Sequence, residues 1–100
     1  MAKFTTRVEL HKATGQDYEA LHTEMENRGF TRTIKYENDV NVYQLPSAEY
    51  NLDSAVEIND VRDMAQAAAA ATGKNCSIIV TKADGPRYVY NLPVLRQRVL

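Results

Sequence analysis

Apolar and polar positions along the chain alternate, then recur at helical spacing, alternate through two further runs, turn helical again and finish in alternation. In the first run Phe4, Thr6, Val8 and Leu10 fall on one side and Thr5, Arg7, Glu9 and His11 on the other, as a sheet with one packed face requires. A helix follows. Thr14 can cap it, Asp17 three residues on completes a capping box with Asp in place of Glu or Gln, and Gly29 supplies the stop. Tyr18, Leu21, His22 and Met25 form its packing stripe, while Glu19, Thr23, Glu26 and Asn27 face away.

Phe30 to Tyr36 and Val40 to Leu45 read as two strands paired through the polar loop Glu37-Asn38-Asp39. Pro46 withdraws a backbone donor and ends the second run, so Ser47 to Asp53 reads as a connection crossing to the helical layer. Two starts fit the second helix: Ser54 with Glu57 three residues later, and Asn59 with Asp60 and Asp63 in the first turn. Asn59 is the preferred cap. Val61, Met64, Ala65, Ala68, Ala69 and Ala71 then give a small-sided apolar face that lets the helix approach the sheet closely, before Gly73 ends it.

Asn75 to Thr81 is the fourth strand, and the consecutive Ile78, Ile79 and Val80 predict cover on both its faces. Asp84-Gly85-Pro86 turns the chain, and the loose alternation of Arg87 to Leu92 predicts an appended strand beside the fourth. The order βαββαβ predicts an α+β, ferredoxin-like two-layer sandwich. Its antiparallel sheet has strands one and three in the middle, both helices on one face and an extra C-terminal strand. Residues 1–95 form one domain in this reading, and Arg96 to Leu100 a tail that frays or covers a sheet edge of a second copy.

Composition narrows the function classes. The apolar share of 44% and charged share of 25% are those of a globular protein, and no stretch approaches the roughly 20 apolar residues of a membrane span. Met1-Ala2-Lys3-Phe4 runs into the strand pattern without the features of a secretory signal, so cytoplasmic residence is expected. Twelve basic residues against 13 acidic ones do not fit tight non-specific DNA binding, and leave room for local RNA contact. Cys76 is the only cysteine, which excludes an intrachain disulfide and a paired-cysteine zinc site; within an apolar strand it reads as a small buried side chain. No phosphate-cradling glycine loop or nucleophile elbow occurs, and no cofactor or metal is expected: Glu9 has no acidic neighbour two residues along its strand, and Asp60 with Asp63 compensates a helix dipole.

The candidate chemistry lies on the face that the helices leave open. Arg7, Glu9 and His11 make a row there, readable as an ordinary solvated surface or as an RNA-contacting face. In the second reading Arg7 binds phosphate, His11 exchanges a proton, and Tyr43 stacks on a base if its register exposes it. Val40 and Val42 facing the core would expose Tyr43, and the opposite register would bury it. His22, on the helix stripe, reads as a half-buried packing residue with one satisfied nitrogen, or as an acid/base partner for His11; placement on opposite layers argues against the pair.

Four segments together resemble a known family: Phe4-Thr5-Thr6-Arg7-Val8-Glu9-Leu10-His11, Met25 through Ile34, Tyr43-Gln44-Leu45-Pro46-Ser47-Ala48-Glu49-Tyr50, and the Ala-rich helix closing on Thr72-Gly73-Lys74. They are similar to small bacterial proteins grouped with the GhoS-type endoribonuclease antitoxins of type V toxin-antitoxin systems. The resemblance implies a ferredoxin-like fold like that of the small CRISPR adaptation nuclease, and cleavage of the messenger RNA of a small membrane-active toxin. That nuclease ties metal-dependent cleavage to an acidic residue near the end of the first strand, where this chain has His11 and Lys12.

Two functions are therefore expected in competition. The first is a metal-independent endoribonuclease in which the RNA 2′-hydroxyl attacks the adjacent phosphate, with His11 as general base or acid and Arg7, with Arg32 or Lys35, stabilising the developing charge. The second is a non-catalytic interaction module, in which the open face, the fourth-strand edge or the tail with Val99-Leu100 forms a homodimer or binds another protein.

Overall fold

The computed structural model describes residues 1–35 and 41–97. Strand β1 (Ala2–Leu10) buries Phe4, Thr6, Val8 and Leu10, as its alternation requires. Helix α1 (Gly15–Asn27) starts at the expected capping box: the Thr14 hydroxyl accepts from the Asp17 N–H at 3.2 Å, and the Asp17 carboxylate accepts from the Thr14 N–H at 2.9 Å. The helix ends where Gly29 adopts φ +94°, which lets the Gly29 and Phe30 N–H groups return to the Glu26 and Met25 carbonyls. Leu21, His22 and Met25 are its buried residues.

The following strands depart from the expected single sheet. β2 (Thr33–Lys35) and β3 (Asn41–Gln44) pair with each other, as anticipated; the loop assigned to Glu37-Asn38-Asp39 lies outside the described residues. The hairpin does not lie beside β1. That place belongs to β4 (Glu49–Ser54), inside the segment read as a connection. Pro46 does end the preceding run, but Ala48 at φ +69° turns the chain at once into a new strand, whose Tyr50 and Leu52 point into the core. Those two apolar positions among Asn51, Asp53 and Ser54 are too sparse a signal to compete with the low strand propensity of their neighbours.

Helix α2 (Ile58–Ala70) starts at Glu57 rather than at the preferred Asn59, which lies within its first turn. Asp60 decides this, because its carboxylate accepts the Glu57 N–H at 3.1 Å, while the Ser54 hydroxyl accepts from Val56 in the turn before. The small face packs as expected, with Val61, Ala65, Ala68 and Ala69 buried. β5 (Cys76–Lys82) pairs antiparallel with β1 on the side away from β4, giving the sheet order β4-β1-β5. Cover on both faces of β5 is not observed: Ile79 is 64% exposed, and Cys76 is half-buried rather than enclosed.

The extra strand exists but lies elsewhere. Residues 87–92 form no strand, and β6 (Val94–Gln97) pairs with β3, completing a second sheet of order β2-β3-β6. Pro86 and Pro93, which lack backbone N–H groups, bracket the displaced segment, and the strand takes in Arg96 and Gln97 of the expected tail. Val99 and Leu100 lie outside the described residues. Among the described residues the sheets meet at one antiparallel bridge, Thr31 to Asn51, with N–H···O distances of 2.8 and 2.7 Å. The molecule is thus α+β, with two helices and two antiparallel three-stranded sheets among the described residues. Residues of β1, β4 and both helices share one core, where Phe30 meets Tyr50 edge to face at 6.4 Å.

Candidate functional site

Strand pairing defines the face of β4-β1-β5 opposite the helices. Arg7 lies between Glu49 and Ile79, Thr5 between Asn51 and Thr81, and Glu9 beside Ser77. The ladder continues one step past β1, where the His11 N–H donates to the Asn75 carbonyl at 2.8 Å. This step brings the exposed His11 Nε2 to 2.8 Å from Ser77 Oγ. Arg7, Glu9, Ser77 and Ile79 line a shallow cleft of about 210 Å³ beside that pair.

The two expected catalytic residues share this face without converging. Three residues, Val8, Glu9 and Leu10, separate Arg7 from His11, about 13 Å between α-carbons. Ser77, not Arg7, is the neighbour of the imidazole. Its role was hidden in the sequence because the pairing register, not spacing along the chain, sets it opposite Glu9 and within reach of His11.

The open face is also partly covered. Arg87 reaches over it and donates to Thr5 Oγ1 at 3.1 Å and Asn51 Oδ1 at 2.7 Å, so that residues 86–93 form a strap across β1 and β4. A groove of about 500 Å³ opens between this strap, Glu49, Ile34 and Leu45. Tyr88 and Tyr90 on the strap are 86% and 92% exposed.

Arg32, Lys35 and Tyr43 belong to the hairpin side. Lys35 is exposed and pairs with the buried Val42, while Tyr43 pairs with Ile34 and therefore lies on the opposite side of the small sheet, which the groove borders. The register is thus the one in which Val42 turns inward; Val40 lies outside the described residues, and Tyr43 is half-buried, with its hydroxyl accepting from Asn41 at 3.4 Å. Arg32 lines a separate hollow with Glu26, Thr33 and Gln44, and its Nε is buried without a hydrogen-bond partner among the described residues. The three residues do not form one surface.

His22 is buried as a packing residue. Its Nδ1 lies 2.6 Å from the hydroxyl of the fully buried Tyr50, and it makes no contact with His11. Burial pushes the Tyr50 phenol far above its ordinary range, and the same desolvation, with the Arg32 charge adding to it, lowers His22. Both groups therefore stay neutral, and the phenol O–H, with no other acceptor among the described residues, donates a hydrogen bond to the unprotonated Nδ1. This pair escaped the sequence reading because Tyr50 sat in the supposed connection.

Among the described residues, no three His, Cys, Asp or Glu side chains gather as a metal site, and no helix is long and apolar enough to cross a membrane. No protein-family model, curated protein or solved structure matches the chain.

Proposed function

We propose that this chain is a small RNA-directed protein acting as an endoribonuclease of the GhoS-like kind, working in the cytoplasm on a single-stranded transcript such as a toxin messenger RNA. The observation that carries the reading is the exposed His11–Ser77 pair on the side of β1 away from the helices, in line with Arg7. In this proposal the Ser77 hydroxyl holds Nε2, which leaves Nδ1 of His11 to take the proton of a ribose 2′-hydroxyl. The 2′-oxygen attacks the adjacent phosphorus, the bond from phosphorus to the 5′-oxygen breaks, that oxygen takes a proton from water, and a 2′,3′-cyclic phosphate results. Arg7 binds a flanking phosphate along the strand, and the exposed Tyr88 and Tyr90 offer stacking platforms for unpaired bases. Ser77 is a positioning residue. The same proposal takes the fold as a ferredoxin-like sheet whose outermost strand keeps only the Thr31–Asn51 bridge and then peels away into the β2–β3 hairpin.

A specific feature favours a second reading, a non-catalytic protein-binding module. Lys3, Arg7 and Arg87 on the open side are matched by Glu9, Glu49 and Asp53, a charge balance that gives RNA little long-range attraction.

The deciding experiment incubates purified protein with end-labelled mixed RNA, with and without chelator, beside His11→Ala and Ser77→Ala variants. Chelator-resistant cleavage leaving cyclic-phosphate ends, abolished in His11→Ala and reduced about tenfold or more in Ser77→Ala, is expected from loss of acid–base catalysis. Equal cleavage by wild type and His11→Ala would overturn the catalytic assignment, and no cleavage by the wild type would leave the binding module as the better reading.

A further inference from the structure

Among the described residues β5 forms one edge of its sheet, with β1 as its single strand partner. Natural sheets blunt such an edge with proline, a bulge, inward charges or a covering loop. Among the described residues this edge has no proline, bulge or covering loop, and Lys82, opposite the core-facing Phe4, is its one charge on the inward side. Its seven residues, Cys76-Ser77-Ile78-Ile79-Val80-Thr81-Lys82, form an unbroken ladder with β1, and their one charge is at the end. Past Ala83, which still donates to the Lys3 carbonyl, the chain runs inward over β1 and β4 to the Arg87 contacts, away from the edge. The other side of this sheet is different, because β4 is bridged by Thr31 and carries Glu49 and Asp53.

We infer that the outer edge of β5 is a self-recognition surface on which a second copy of this chain docks antiparallel, with a two-fold axis at Ile79. Only one residue-centred register suits the sequence. Centred on Ile79, it sets the exposed Ile79 against its own copy, Ile78 against Val80, Ser77 against Thr81 and Cys76 against Lys82, with no like charges opposed. A shift of one position to either side replaces these matches by Ile79 against Ser77, or by Ile78 against Lys82. The half-buried Ile78, Val80 and Cys76, which already border the core, gain apolar cover from the second copy, and Ser77 can hydrogen-bond across to Thr81. The resulting sheet has six strands, with the two Arg7 residues in one row about 14 Å apart across the axis. This inference does not depend on RNA cleavage.

The test is the solution mass of the full chain over a concentration series, with a cross-linking arm. The expected outcome is a two-chain mass for the wild type and a one-chain mass for Ile79→Lys, which opposes two ammonium groups at the axis while replacing a side chain that packs little in the monomer. In a Cys76→Ala background, Ile79→Cys should form an intermolecular disulfide under mild oxidation, and Asp53→Cys, exposed on β4, should not. A wild type that stays single-chain at every concentration, a two-chain mass retained by a folded Ile79→Lys, or equal cross-linking through position 53 would each overturn the inference. The cross-linking arm decides the matter even if Ile79→Lys fails to fold.

Discussion

Thr6 and Tyr50 face each other across β1 and β4, and both carry hydroxyls in the core, yet only one is satisfied. Tyr50 donates to His22, whereas Thr6 Oγ1 is buried without a partner among the described residues. A desolvated, unpaired hydroxyl is a cost that an isosteric methyl removes, so Thr6→Val should stabilise the fold by about 1 kcal/mol, read as a higher urea midpoint with unchanged slope. His22 makes the opposite case. Its folded-state pKa lies below the ordinary 6.5, so the unfolded chain takes up the proton first as pH falls. The stability that neutral His22 confers is complete above pH 6.5 and is lost as pH drops through that value toward the folded one. Arg32 disfavours the charged form, while Glu19 and Glu26 soften the penalty. In His22→Gln, which keeps an acceptor for Tyr50 without titrating, thermal stability should fall less steeply over the same acid range. Much of this scale was legible: alternation placed Thr6 inside, and the helical stripe gave His22 its packing role. Its partner was hidden because two sparse apolar positions did not announce a strand.

At the scale of elements, the sequence was most readable where local chemistry and packing agree. The Thr14–Asp17 box, the Gly29 stop and the alternation of β1 each combine a side-chain signal with an apolar pattern that the core then uses. Reading failed where a tertiary partner decides. Arg87 to Leu92 alternates like a strand, but the Arg87 guanidinium finds Thr5 and Asn51 across the sheet, and the segment becomes a strap. Ile79 shows the same limit from another side, since three consecutive apolar residues fit a strand covered on both faces, and only the position of β5 at an edge leaves the middle one in solvent. The candidate site divides similarly. The row of Arg7, Glu9 and His11 followed from the period of β1, while the His11–Ser77 contact joins residues 66 positions apart and required the register.

The molecule is held together across its two sheets by few connections among the described residues. The Thr31–Asn51 bridge is one, and Arg87 adds another by tying the strap to β1 and β4 before the chain continues into β6. Arg87→Ala should therefore cost about 1 to 2 kcal/mol of global stability, as expected for losing two charge-assisted hydrogen bonds at a half-buried position. It should also quicken chymotryptic cleavage after Tyr88 and Tyr90 relative to cleavage elsewhere. A fall in stability with no change at these two sites would mean that the guanidinium does not hold the strap down.

The late position of β6 in the chain carries a consequence for how the protein is made. A growing chain that has emerged as far as Lys82 already contains every strand of the β4-β1-β5 layer and both helices that cover it, so the main core can close. β3 at that moment has only β2 beside it. Its other flank is filled by residues 94–97, the last to be synthesised of those that pair with it. Assembly is thus ordered in time: a core that closes early, an unfinished hairpin sheet that waits, and Arg87 emerging between the two as the latch that brings β6 home.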